Sequence, residues 1–250
     1  MKFHQYQKKF IAYAKSYLTG CEEFDRNILL KLSHTQRVYS FAQDICLREH
    51  YSGFDENTSL LAALFHDVSR FEQFKRYQTY RDSEEFDHGN MSEDILRSGI
   101  FDFKAISTEE FECVALAVGL HNKRIVPEDS APAVLTVRDA DKLDVLEVVL
   151  DELDNPRNPK VLYSLSTENR FSERVISHIM NRTSPLHSDL ETVNDFVISK
   201  VAWVYDLNTA TAKVLFKEAG YLGRLRKHLP SDDAVDTIFC DVKNYLCTNI

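Results

Sequence analysis

Residues 60–71 read LLAALFHDVSRF, and the fold turns on how this stretch is read. Leu60, Leu61, Ala62, Ala63, Leu64 and Phe65 form an unbroken apolar, helix-like run of the kind that lies in a protein core. The run delivers His66 and Asp67 side by side at its far end. Placing an imidazole and a carboxylate at the end of a core helix is costly unless something binds them. A metal ion would do so, because neutral imidazole and carboxylate are both ligands for first-row metals. An isolated pair of this kind is also met as a helix end with a solvated Asp and a His near the last carbonyls. The neighbouring segments therefore have to decide.

Upstream, Asp25 could cap a long helix running to about His50. On it Leu30, His34, Val38, Phe41 and Ile45 recur every three or four residues, which puts His34 on the stripe facing the core. Residues 3–18 make an amphipathic helix that Gly20 stops, and Asn57 or Thr58 caps the helix ending in His66-Asp67. Downstream, residues 69–87 are rich in aromatic and charged side chains and read as short helical pieces and loop. Asp87-His88-Gly89-Asn90 opens a further helix. Ser107 with Glu110 is a capping box for the next one, where Val114, Ala117 and His121 align and bring another histidine to an inner face. In the helix over residues 133–153, Val137, Asp141, Val145 and Val148 share one face, so Asp141 interrupts a stripe that should be buried.

The Asp154 to Pro159 stretch is the clearest break in the chain. Beyond it the spacing predicts helices near 171–180, over 189–219 closed by Gly220, and over 231–245. Leu190, Val193, Val197, Val201 and Val204 form a stripe too apolar for water. The expectation is an all-α chain: residues 1–158 as one domain with its N-terminal helix, and residues 159–250 as a helical extension packed on that core. A symmetric homodimer is the alternative cover for the stripe.

Composition narrows the classes. The hydrophobic and charged fractions are those of an ordinary globular protein, and 7 Gly with 6 Pro in 250 residues leave room for long helices. No apolar run is long enough for a bilayer and the N-terminus lacks a secretory pattern, so a cytoplasmic location is expected. The five cysteines are scattered with no CxxC pair, which indicates neither a disulfide framework nor a zinc-thiolate site. A net charge of −9 argues against binding nucleic acid polymers or membrane surfaces. There is no P-loop string, no GxGxxG after a strand and no GxSxG.

Four ligand-type side chains, His34, His66, Asp67 and Asp141, thus point inward from separate helices, and each buried polar group must find a partner. Their order, with KLSHTQRV around His34, LLAALFHDVSRFEQF around the pair and VRDADKLDVL around Asp141, resembles the HD superfamily of metal-dependent phosphohydrolases. The resemblance covers roughly residues 28–150 and implies an HD-domain helical bundle with His34, His66, Asp67 and Asp141 as metal ligands. In the family's motif the final ligand is the Asp of an Ala-Asp-Lys/Arg-Leu string, so the resemblance implies Asp141 rather than Asp139 or Asp144. His88 and His121 fall where some members hold a second metal with the Asp of the pair bridging; otherwise they line the pocket. One or two divalent ions (Mn, Fe, Co, Ni, Zn or Mg) are implied. The absence of a GYP motif weakens a cyclic-dinucleotide reading.

The implied chemistry is attack of a metal-activated water on a phosphoryl group. Asp67 would position that water, with Glu72 as a second candidate base. Arg37, Arg70, Lys142 and Lys123 are candidates for holding phosphate, with Arg124 beside them. The expected substrate is a small phosphorylated metabolite, foremost a nucleotide. A di-iron oxygenase and a non-catalytic ligand-sensing module are the alternatives. The basic run Gly223 to His228 could recruit a phosphate or be a solvated helix end.

Overall fold

The computed structural model describes residues 2–83, 85–157, 162 and 165–249. The 3.6-residue periodicity of the sequence is realised as α-helices, and among the described residues no strand forms beyond two isolated bridges. The chain divides into two compact units, residues 1–144 and 145–250. The division falls inside a helix, upstream of the Asp154 to Pro159 break; residues 158 and 159 of that break lie outside the described residues.

In the first unit, α1 (Lys2–Lys15), α2 (Glu22–Arg48), α3 (Phe54–Phe65), α4 (Arg70–Tyr77), α5 (His88–Arg97) and α6 (Thr108–Leu120) are followed by the start of α7 (Pro132–Asp154). Helix α3 packs against α2 and α6, and α5 against α6. Every residue of α3 from Thr58 to Phe65 is buried, so the apolar run is the centre of this unit. The Phe65 ring meets Phe10 of α1 at 5.9 Å, Phe101 at 4.8 Å and Phe103 at 5.3 Å between centroids. Edge-to-face pairs of this kind add about 0.5–1.5 kcal/mol each beyond area burial. They fix the end of α3 immediately before His66.

Two caps differ from the sequence expectation. Helix α2 starts at Glu22, and Asp25 sits inside its first turn, where its carboxylate reaches back to accept from the backbone N–H of Thr19 (2.8 Å) and Gly20 (2.9 Å). Helix α3 starts at Phe54 after Gly53, which holds φ +57°. Thr58 is therefore interior, its hydroxyl donating to the Phe54 carbonyl. The Ser107–Glu110 capping box forms as expected.

The second unit takes the rest of α7 and continues through α8 (Glu173–Met180), α9 (Val193–Ala202), α10 (Ala210–Glu218), α11 (Tyr221–Arg226) and α12 (Asp233–Thr248). The single helix expected over 189–219 is instead α9, a 3-10 turn at Trp203–Asp206, and α10. Polar caps break it: Thr192 and Asp195 form a capping box at α9, and the Thr209 hydroxyl accepts from Ala212 N–H at α10. Val197, Val201 and Val204 are buried, and α9 packs against α8, α11 and α12 within this unit. The basic run lies on and after α11, where Arg224 pairs with Glu147, Arg226 with Asp236 and His228 with Asp154. Among the described residues no helix is long and apolar enough to cross a membrane.

Candidate metal centre

Five elements of the first unit each bring one piece of the site. Helix α2 carries His34 on its buried stripe, and the end of α3 presents His66 followed by Asp67. His88 opens α5, His121 closes α6, and Asp141 comes from α7. Sequence positions far apart therefore converge because apolar helix faces bury together.

His34 Nε2 stands 3.3 Å from His66 Nε2, 3.3 Å from Asp67 Oδ2 and 3.2 Å from Asp141 Oδ1. His66 Nε2 lies 3.5 Å from Asp67 Oδ2 and 3.7 Å from Asp141 Oδ1. On the other side of Asp67, Oδ1 lies 3.7 Å from His88 Nε2 and 3.8 Å from His121 Nε2, which are 3.0 Å from each other. Asp67 is 2% exposed and offers one oxygen to each group. Two donors on one ion at about 2.1 Å stand roughly 3.0–3.4 Å apart, so both groups have separations close to those of an ion's coordination sphere.

The outer nitrogens argue the same way. His34 Nδ1 donates to Asp144 (2.6 Å), His66 Nδ1 to the Ala63 carbonyl (2.9 Å), His88 Nδ1 to Asp82 (2.5 Å) and His121 Nδ1 to the Val118 carbonyl (2.7 Å). Each neutral ring then directs a bare Nε2 lone pair at the centre, which is the tautomer a metal requires. Lone pairs and carboxylates aimed at one another repel unless a cation lies between them. The donor set therefore fits one divalent ion at His34, His66, Asp67 and Asp141, and a second at Asp67, His88 and His121.

Without an ion, protons and side-chain cations balance the charge. Burial and Lys31 pull the His34 pKa down, but hydrogen bonds to Asp141, Asp144 and Asp67 prevail and raise it to about 10. Burial lowers the pKa of His66, and lowers those of His88 and His121 to about 4, keeping these rings neutral. Burial opposes ionisation of Asp67 and Asp141, yet both are held well below the usual carboxylate range. Lys31 and Arg70 do this for Asp67, and the hydrogen bond from His34 does it for Asp141.

The structure brings His34, His66, Asp67, His88, His121 and Asp141 together. Of the three aspartates on this part of α7, Asp141 faces His34 and His66, Asp139 is wholly buried and Asp144 stands behind His34. The other candidates are engaged as follows. Arg37 forks onto Asp144, and Arg70 contacts Asp67, Gln73, the Tyr80 carbonyl and Asp82. Lys123 pairs with Asp87, and Lys142 is half-buried beside Asp141 in the chain. Glu72 is tied to Tyr17 and Arg76. Sequence reasoning missed Lys31, whose ammonium is 2.7 Å from Asp67 Oδ2, and missed Asp82 and Asp144 as partners of the histidines. The available signal was spacing: Lys31 precedes His34, and Asp144 follows Asp141, by one helical turn.

Residues 32–146 match the family model described as HD domain. Comparison with curated proteins and with solved structures gave no match.

Proposed function

On the premise that the chain is an HD-superfamily protein, we propose that it is a divalent-metal phosphohydrolase for a small phosphorylated metabolite, foremost a nucleotide. The observation that carries this is the use of both Asp67 oxygens, each facing its own group of imidazole donors. Ions bound there would polarise a phosphoryl oxygen and make water a nucleophile at neutral pH.

The chain's own residues supply the rest. Asp67 is held ionised by Lys31 on Oδ2 and Arg70 on Oδ1, so it can orient a water or take its proton. Asp141 closes the first group, and its side chain is 25% exposed. Lys31, Arg37, Arg70 and Lys123 each pair with a carboxylate, Lys31 and Arg70 with Asp67, Arg37 with Asp144 behind His34 and Lys123 with Asp87 in the loop before α5, and so hold the charged groups around the centre in place. The paired histidine groups sharing one carboxylate are also the feature that a di-iron oxygenase would use, so it is the second reading.

Metal analysis of the purified protein with a turnover screen on phosphate monoesters and nucleoside polyphosphates tests the proposal. Metal-dependent phosphate release supports it. Iron content with oxygen-dependent turnover would replace it with the oxygenase reading, and bound metal without any turnover with a sensing module.

A further inference from the structure

Each group of donors contains one histidine held by a carboxylate and one held by a backbone carbonyl three residues earlier. In the first, His34 is held by Asp144 and His66 by Ala63; in the second, His88 is held by Asp82 and His121 by Val118. Each carboxylate is in turn gripped by an arginine. Arg37 places Nε 2.6 Å from Asp144 Oδ1 and Nη2 3.0 Å from Oδ2, and Arg70 places Nη1 2.9 Å from Asp82 Oδ1. The two arrangements come from unrelated parts of the fold, α2 with α7 for one and α4 with the loop before α5 for the other.

We propose that Asp144 with Arg37, and Asp82 with Arg70, are positioning pairs, one for each metal subsite, that set the affinities of the two subsites separately. The inference rests on the two-subsite reading above. A carboxylate on the outer nitrogen fixes the ring direction and makes the inner nitrogen a stronger donor than a neutral carbonyl does. The arginine matters because a lone carboxylate behind an imidazole could rotate or draw the proton away. A fork of two N–H donors holds both Asp144 oxygens in place. Asp144 is wholly buried, so no water can take over either contact. Arg70 also places Nε 3.2 Å from Asp67 Oδ1, the oxygen that faces the second subsite. Arg37 and Arg70, which sequence reasoning assigned to substrate phosphate, are thereby assigned to the protein's own carboxylates.

The test is calorimetric titration of the intact, metal-stripped chain with Mn2+, read together with the electron paramagnetic resonance signal of coupled manganese. The wild type should take up about two ions. Asp82→Asn keeps the shape and removes the charge; it should weaken one binding event by about 10–100-fold, leave the other unchanged and abolish the coupled signal. Asp144→Asn should weaken the other event by the same range. A merely structural role would weaken both events together and lower the melting temperature of the stripped protein. If Asp144→Asn fails to fold, Arg37→Lys keeps the charge, loses the fork and should cost the same event several-fold. Unchanged affinities in Asp82→Asn and in the Asp144 or Arg37 variant, or equal losses at both events, would overturn the pairing. A wild type that takes up one ion overturns the two-subsite reading instead. The Asp144 half then stands or falls on whether its variant weakens that single event.

Discussion

Lys200 provides a test of the second unit that depends on no ligand. It lies on α9, 7% exposed, with Nζ 4.2 Å from the Phe196 ring centroid and 4.1 Å from that of Trp203. Among the described residues no carboxylate pairs with it, and burial lowers its pKa to about 7. The unfolded chain holds that proton up to about pH 10.4. Between these values the unfolded state binds more protons, so stability must rise with pH. From about pH 7 to pH 10 this one group contributes a gain of about 3–4 kcal/mol by proton linkage. The two ring faces favour the ammonium by about 2 kcal/mol, and allowing for that in full reduces the gain to about 2 kcal/mol. Lys200→Met keeps the stem and removes the amine. Trp203 is the single tryptophan and touches this side chain, so urea unfolding followed by its fluorescence reports on this unit. The stability of Lys200→Met minus that of the wild type should be largest near neutral pH and shrink by about 2–4 kcal/mol towards pH 10. A flat difference would mean the amine is paired or hydrated, and one that grows with pH would reverse the argument.

Three further outcomes follow from the first unit. Asp141→Asn should release most bound metal, whereas Asp139→Asn should retain it and lower thermal stability, because Asp139 is wholly buried away from the donor atoms; metal content and melting temperature together decide. Gly89→Ala would place a Cβ 2.3 Å from Asn122 Oδ1 and 2.9 Å from the Gly119 carbonyl, and a backbone oxygen cannot step aside. It should cost about 1–3 kcal/mol of stability in thermal melts and spread His88 from His121, weakening one metal-binding event. Because an ion must displace the proton that the carboxylates keep on His34 up to about pH 10, apparent affinity should rise about tenfold per pH unit across neutrality, as competition titrations would show. A pH-independent affinity would mean that His34 is already neutral or is not a ligand.

What the sequence disclosed and what it concealed separate along a physical line. A ligand must point into the core, and a polar residue on an apolar stripe is visible from periodicity alone. His34, His121 and Asp141 stood out for that reason, and His66-Asp67 because six apolar residues led straight to them. A helix break inside a continuing apolar pattern has no such contrast. The stripe through Val193, Val197, Val201 and Val204 keeps its spacing across the 3-10 turn at Trp203–Asp206. Only Thr192 with Asp195, and Thr209, mark the starts of α9 and α10, as caps that the continuing stripe masks.

The residues that support the ligands are hidden for a different reason. Asp82, Asp144 and Lys31 belong to the commonest polar types in a chain with 39 acidic and 30 basic residues, most of which face water. Only its spacing of one helical turn after Asp141 distinguishes Asp144 from its neighbours, because the group it serves lies 110 positions away on another helix. Geometry identifies it: a carboxylate with no exposure must have both oxygens satisfied, and His34 and Arg37 are what satisfy them. The same requirement applied to Asp67 yields Lys31 on one oxygen and Arg70 on the other. The cations around the centre were expected to await a substrate phosphate. Burial of the carboxylates gave Lys31, Arg37 and Arg70 an earlier task, because a carboxylate left unpaired in this core would cost more than the fold could sustain.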